Sequence, residues 1–259
     1  MNHRAATLLL MLGSWLSLAS AQPWPEQQNL SGNAFLTRTL LTLQNSPDSN
    51  PISLWLEQGQ VLWRDGRTGP SCSSCHGAID KLKNAAPSFP RLSADGAHLI
   101  NLEDQIIACR NRSGRNPQQL EDLDILALSA ALHQTAKAQP INVKPLPHQT
   151  DQWQQRFRQG SNLFNTRLGR MNLACVHCHA NNVGRQMSAD VISPGHPTGF
   201  PIYRMSWQGM GSIDRRLRAC YSGVQAIMPA PGDPVLRDLE LYLKVRANGM
   251  PMDGPSIRR

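Results

Sequence analysis

Beyond residue 21, this 259-residue chain has no apolar run long enough to cross a bilayer, which takes about 20 consecutive apolar residues. A membrane span is therefore excluded for the remainder, and a soluble, exported chain is expected. Aromatic residues are scarce, at 5% of the chain, so few large side chains are available to fill a core. Period-two alternation is weak throughout, which argues against a sheet-based fold and leaves a mostly helical one with long loops. Methionine is missing between His76 and residue 139, so no thioether ligand is available in that stretch.

The N-terminus fixes the compartment. Residues 1–21 carry His3 and Arg4, the apolar run ATLLLMLGSWLSLA and the small-residue site ASA before Gln22. This is the pattern of a secretory leader cleaved near Ala21, which places the mature chain in the periplasm. In an oxidising compartment, six cysteines would ordinarily form three disulfides.

Two motifs claim four of those cysteines. CSSCH supplies Cys72, Cys75 and His76, and CVHCH supplies Cys175, Cys178 and His179. C-x-x-C-H is the attachment pattern of c-type haem: both thiols add to the vinyl groups, and the histidine becomes the proximal iron ligand. Zinc would need a fourth ligand that each motif lacks. A thioredoxin-like centre would need a βαβ setting, and none surrounds either copy. Two covalent haem c groups are expected.

The chain also repeats itself. LEQGQVLWRDGRTGPSCSSCHG (56–77) aligns with FRQGSNLFNTRLGRMNLACVHCHA (157–180). Each copy has a Gln-Gly, then an apolar–aromatic pair (Leu62 with Trp63, Leu163 with Phe164), then a basic loop into the motif. Each motif is followed by a lone cysteine, Cys109 or Cys220, and then by a stronger helical run. The first run shows Leu120, Leu123, Leu126, Ala127 and Ala130 at helical spacing. The second opens with Asp233 as N-cap and Pro234 in the first turn, and continues through Leu236, Leu239 and Leu243 to Gly249. The expected organisation is two tandem cytochrome c-like domains, 22–138 and 151–259. The proline-rich segment 139–150 reads as their linker. The porphyrins would supply much of the core that the aromatics do not. Trp and Phe residues near the motifs read as core or haem-edge packing.

Cys109 and Cys220 remain. They can pair as a disulfide, or each can ligate the iron of its own half from the distal side. A disulfide would require both halves to turn their haem faces toward each other. Met187, Met205, Met210 and Met228 compete with Cys220 in the second half, while only His98 and His133 compete with Cys109 in the first. The missing methionine favours Cys109 as a ligand, and Cys220 takes the role by repeat equivalence. Thiolate ligation pushes electron density onto iron, so low potentials are expected.

The two cysteines differ in their approach. Arg216 precedes Cys220 by four residues and shares its helix face, whereas Gln105 holds that position before Cys109. Glu103 and Asp104 lie upstream of Cys109, where they would repel an anion. A cysteine with a convergent guanidinium suits a small oxyanion or sulfur anion, so the reactive centre is expected in the C-terminal half. Arg215 and Arg218 read as a solvated basic face or as partners of haem propionates. The net charge of +8 suits an anionic substrate or an acidic partner, and nucleic-acid binding fits an exported haem protein poorly.

With two C-x-x-C-H motifs, a lone cysteine after each, and the R-x-x-x-C-x-x-G stretch of Arg216, Cys220 and Gly223, the sequence resembles the SoxA family. These are the dihaem subunits of L-cysteine S-thiosulfotransferase in bacterial sulfur oxidation. The resemblance covers nearly the whole mature chain. It implies His76 with Cys109 on the first iron and His179 with Cys220 on the second. It further implies Cys220 as the active cysteine, found as a persulfide, and Arg216 as the substrate-binding residue. The implied activity is oxidative conjugation of thiosulfate to a cysteine of the SoxYZ carrier protein. A SoxX-type monohaem cytochrome c is the implied heterodimer partner, and a downstream cytochrome c the electron acceptor. Two other functions stand beside it: a tetrathionate-forming thiosulfate dehydrogenase and a simple dihaem electron carrier. The carrier predicts a methionine ligand in at least one half and gives Arg216 no role. A dihaem peroxidase would need an open distal position with acid–base groups.

Overall fold

The computed structural model describes residues 28–114 and 118–259, so the expected leader lies outside the described residues. The chain is mostly α. Helices α1 (Arg38–Asn45) and α2 (Ile52–Arg64) lead to the one-turn α3 (Cys72–His76). An antiparallel pair, β1 (Arg91–Leu92) with β2 (Leu99–Ile100), precedes α4 (Leu102–Arg112) and α5 (Leu123–Thr135). The order then recurs. Helix α6 (Thr150–Asn165) leads to the one-turn α7 (Cys175–His179), followed by the antiparallel pair β3 (Gln186–Met187) and β4 (Asp190–Val191). Strands β5 (Ile202–Arg204) and β6 (Gly209–Gly211) precede α8 (Ile213–Gly223) and α9 (Pro234–Arg246), and β7 (Ser256–Arg258) closes the chain. In the small sheet, β5 lies between an antiparallel β6 and a parallel β7.

The repeated Gln-Gly marks a helix crossing. Helix α2 packs on α5, and α6 packs on α9. A Cβ at Gly59 would run into the Ala127 carbonyl oxygen, and one at Gly160 into that of Asp238. Both glycines therefore let a helix approach its partner at backbone distance. The aromatic that follows each one is buried, Trp63 at 5% and Phe164 at 3% exposure.

Helix α9 begins as its sequence predicts, with the Asp233 carboxylate accepting from the Val235 N–H at 2.9 Å and Pro234 in the first turn. Leu236, Leu239 and Leu243 are buried along it. In the first half, Leu126, Ala127 and Ala130 are buried in α5, but Leu123 at its start faces solvent. The segment 139–150 is not a loose tether. Its Ile141 N–H donates to the Met250 carbonyl at 2.9 Å, and Ile141 and Val143 are buried in the core beside Leu241, Ala247 and Met252.

The polar face of α9 is buried as well. Arg237, 2% exposed, donates to both carboxylate oxygens of Asp104 at 2.6 and 2.9 Å and to Asp214 at 3.0 Å. Asp104 also closes a capping box with Asn101 at the start of α4, and Asp214 lies in the first turn of α8. One guanidinium thus ties together the first turns of the two helices that carry Cys109 and Cys220. Beside it, Asn101 donates to Glu240 at 3.2 Å, and the Ser129 hydroxyl donates to Glu103 at 2.6 Å.

Two predictions follow from this packing. Gly160→Ala should destabilise the holoprotein by about 1–3 kcal/mol, because α6 and α9 must separate to admit the methyl; denaturant unfolding measures it. The second concerns His133, whose Nδ1–H donates to the Ser129 carbonyl at 2.9 Å. Burial, with Lys244 nearby, pushes its imidazole from 6.5 down to about 3. It is therefore neutral when folded and gains a proton on unfolding once the pH falls below 6.5, which costs up to about 1.4 kcal/mol per pH unit. Glu240 acts in the opposite sense, since burial raises its carboxyl to about 7. The stability gap between the native protein and His133→Gln should therefore shift in favour of the variant as pH falls from 6.5 to 4.

Candidate haem-thiolate site

Helix α7 presents Cys175, Cys178 and His179 within a single turn. The His179 Nδ1 lies 2.7 Å from the Ser193 carbonyl oxygen. A carbonyl can only accept, so Nδ1 carries the hydrogen and Nε2 keeps its lone pair for a metal. Gly195 makes this possible: its φ is +75°, and a Cβ there would lie 3.0 Å from Nδ1.

Cys220 comes to the same point from α8, whose N-cap Ser212 accepts from the Arg215 N–H at 3.2 Å. Burial alone would push its thiol up. The neighbouring His179 imidazole and the charges of Arg216 and Arg204 outweigh burial and bring the thiol down to about 7. Burial, with the neighbouring Cys220, pushes Cys175 up to about 11 and raises Cys178 too. The predicted set Cys175, Cys178, His179 and Cys220 is therefore assembled.

The three arginines before Cys220 divide. Arg215 stacks on Trp207, its guanidinium carbon 4.3 Å from the ring centre, and Arg218 donates to the Pro229 carbonyl at 2.9 Å. Neither is part of a solvated face. Among the described residues Arg216 forms no ion pair, and it acts on the Cys220 sulfur through its charge. Arg204, on β5, acts on the same sulfur. Sequence reasoning missed Arg204, because it stands sixteen positions away on another element with no spacing to betray it. Of the competing methionines, Met210 is buried against Ile52, Leu126, Ala130 and Ile257. Met187, Met205 and Met228 are exposed.

In the first half, α3 presents Cys72, Cys75 and His76, with the His76 ring 6.0 Å from that of Trp63. The Cys109 sulfur accepts from Gln105 and from Arg112, both at 3.4 Å. Gln105 thus occupies the position that Arg216 holds at the other site. The acids expected to repel anions do not face this sulfur. Glu103 is bound to Ser129 and Asp104 to Arg237, because the first turn of α4 packs against α5 and α9. Cys109 and Cys220 are both free thiols, so the disulfide alternative is not formed.

These donors fit haem c: two thiols at the attachment spacing, a histidine with Nδ1 anchored, and a further thiol in the neighbourhood of that histidine. The comparisons agree. The SoxA/TsdA cytochrome c domain family matches residues 58–141. The L-cysteine S-thiosulfotransferase subunit SoxA of Pseudaminobacter salicylatoxidans is 32% identical over 247 residues, covering 93% of this chain and 85% of that protein. The chain belongs to the SoxA family. The SoxA subunit of Rhodovulum sulfidophilum is 28% identical, covering 88% of this chain and 79% of its own length. The crystal structure of SoxXA from P. pantotrophus superposes with a TM-score of 0.80 at 25% identity, covering 92% of each chain. As in other cytochromes c, haem is covalently bound. No helix among the described residues of this SoxA-family chain is long and apolar enough to cross a membrane.

Gly195→Ala should disturb the anchor of His179. The expected outcome is a shifted Soret band and an altered low-spin EPR signal for haem held by the Cys175–His179 motif.

Proposed function

We propose that this chain is the catalytic subunit of a thiosulfotransferase that joins thiosulfate oxidatively to a cysteine of a SoxYZ-type carrier protein. The observation that carries this reading is Cys220, held against His179 with Arg216 beside it and no ion pair on Arg216 among the described residues. The relatives named as L-cysteine S-thiosulfotransferase subunits support it. We further propose two haem-binding units, residues 22–138 and 151–259, joined through 139–150. His76 with Cys109, and His179 with Cys220, would hold the two irons. A SoxX-type cytochrome c is the proposed partner, by likeness to the SoxXA complex. The periplasm is the proposed compartment, from the leader pattern at residues 1–21, and a downstream cytochrome c the final acceptor.

Bound haem would supply the sink for two electrons. The chain's own residues prepare the sulfur. The charges of Arg216 and Arg204 favour the thiolate of Cys220 over the thiol, and a thiolate is the nucleophilic form. Arg216 also offsets the charge of the incoming thiosulfate dianion, which two anionic partners could not otherwise approach. A bond forms between the Cys220 sulfur, or a persulfide sulfur on it, and the terminal sulfur of thiosulfate, with release of two electrons. The carrier thiolate then attacks that terminal sulfur. A carrier–S–S–sulfonate forms, and Cys220 leaves as the thiolate, or as the perthiolate where a persulfide reacted, with no further change in electron count. Arg216 can stabilise the sulfonate through both bonds. A simple electron carrier has no use for this guanidinium.

Cys220→Ala in the mature holoprotein with its cytochrome partner should abolish turnover while leaving covalent haem in place, and Arg216→Gln should lower kcat/KM by roughly a hundredfold. Thiosulfate-dependent cytochrome reduction with the carrier present measures both. Full turnover in Cys220→Ala would sink the transferase reading in favour of an electron carrier. Tetrathionate as product, with no adduct on the carrier, would favour the dehydrogenase.

A further inference from the structure

The Ser193 carbonyl that anchors His179 belongs to an irregular turn, residues 193–196, with neither helix nor strand in it. No regular ladder supplies the hydrogen bonds of such a segment, so they must come from elsewhere. Within the turn, the Gly195 N–H donates to the Ser193 hydroxyl at 3.3 Å. Two further bonds reach it from distant parts of the chain.

The first comes from Arg246, in the last turn of α9, whose Nη1 donates to the Pro194 carbonyl at 3.2 Å. Its guanidinium carbon lies 4.7 Å from the centre of the Phe164 ring and 5.9 Å from that of Tyr242. The second involves His196, whose Nε2 lies 2.7 Å from the Gln28 carbonyl oxygen. That oxygen can only accept, so Nε2 carries the hydrogen. Gln28 in turn donates from its side chain to the carbonyl of Ala180, next to His179, at 2.9 Å. The other nitrogen of His196, Nδ1, is buried and has no partner among the described residues. Leaving a buried acceptor unpaired costs about 1–3 kcal/mol, which an apolar side chain of similar size would avoid. Histidine at this position is explained by the bond it makes rather than by the space it fills.

Helix α9 joins the two sides of the site. Nine residues before Arg246, Arg237 donates to Asp214 in the first turn of α8, the helix of Cys220. Nine residues of α-helix span about 13.5 Å. One rigid element therefore grips the turn behind His179 at one end and the Cys220 helix toward the other.

We propose that Arg246 and His196 are positioning residues for His179: together they hold the Ser193 carbonyl against Nδ1 and so set how strongly His179 donates to haem iron. This rests on haem attachment at Cys175–His179 and is independent of the substrate. A hydrogen-bonded Nδ1 makes Nε2 a stronger donor, and stronger donation favours ferric iron and lowers the potential. Loosening the turn therefore raises the potential. Removing a positive charge near the haem acts in the opposite sense, because it too favours the more positive, ferric state. The sign of the shift separates positioning from charge.

The test is an EPR-monitored redox titration of the mature holoprotein at pH 8, following haem held by the Cys175–His179 motif. Burial pushes the His196 imidazole below its usual 6.5, so it is neutral at this pH and replacing it changes no charge. His196→Leu, which cannot donate, should raise the potential and shift the low-spin g values. His196→Gln keeps a donor for the Gln28 carbonyl and should recover part of both. Arg246→Lys keeps the charge but loses the planar stack on Phe164 and the reach to Pro194, so it should shift the potential upward as His196→Leu does. Native potential and g values in both His196→Leu and Arg246→Lys would overturn the proposal. So would a native Arg246→Lys beside a lowered potential in Arg246→Gln, which would make Arg246 a charge near the haem, as a propionate partner is. If His196→Leu does not fold, the two Arg246 variants decide by the sign of their shifts.

Discussion

The contact on which the arrangement depends is the buried guanidinium of Arg237 between Asp104 and Asp214. Its two carboxylates belong to the first turns of α4 and α8, so one side chain fixes both cysteine-bearing helices relative to α9. Removing one member of such a buried set leaves an uncompensated charge, at a cost of about 3–5 kcal/mol. Around it, Asn101, Glu240, Glu103 and Ser129 satisfy one another. The polar face of α9 is therefore specific in its pairing, while Leu241 and Leu239 of the same helix belong to two separate apolar clusters. Specific pairing suits a protein that must hold two sulfur atoms at fixed places.

At the second site, each group is oriented by another. Ser193 fixes the tautomer of His179, Gly195 leaves room for the ring, and the charges of Arg216 and Arg204 favour the thiolate of Cys220. The first site shares the motif but not the chemistry. Its sulfur meets a neutral amide from Gln105 at the position where the other has Arg216, although Arg112 brings one positive charge to it. A difference of one residue type, four positions before each cysteine, is what the proposed division between a reactive centre and an electron relay rests on.

Much of this was written along the chain. The two C-x-x-C-H motifs specify thioether attachment wherever they sit, because thiol spacing and the adjacent histidine are local properties. The recurring Gln-Gly and the helical leucines of α9 are local too, and each appears in the structure at the place its spacing implies. Arg216 was legible because four residues on a helix means one face. Leu123 fits the periodicity and lies in α5, but it stands at the very start of the helix and faces solvent, whereas Leu120 precedes the helix.

What the sequence determined by itself was the covalent chemistry, the mostly helical class and the pairing of one arginine with one cysteine, since these depend on neighbours within a turn. Tertiary structure alone decided where the charges went. Glu103 and Asp104 look like a solvated acidic run until α5 and α9 cover them, and Arg237 looks like a surface residue of an amphipathic helix until two carboxylates from distant segments close on it. Arg204 and Arg258 lie 54 positions apart and meet only through a parallel strand register, which no local pattern encodes. Long-range charge pairing is a property of the packed chain, because the energy that selects it arises only after burial has removed the water.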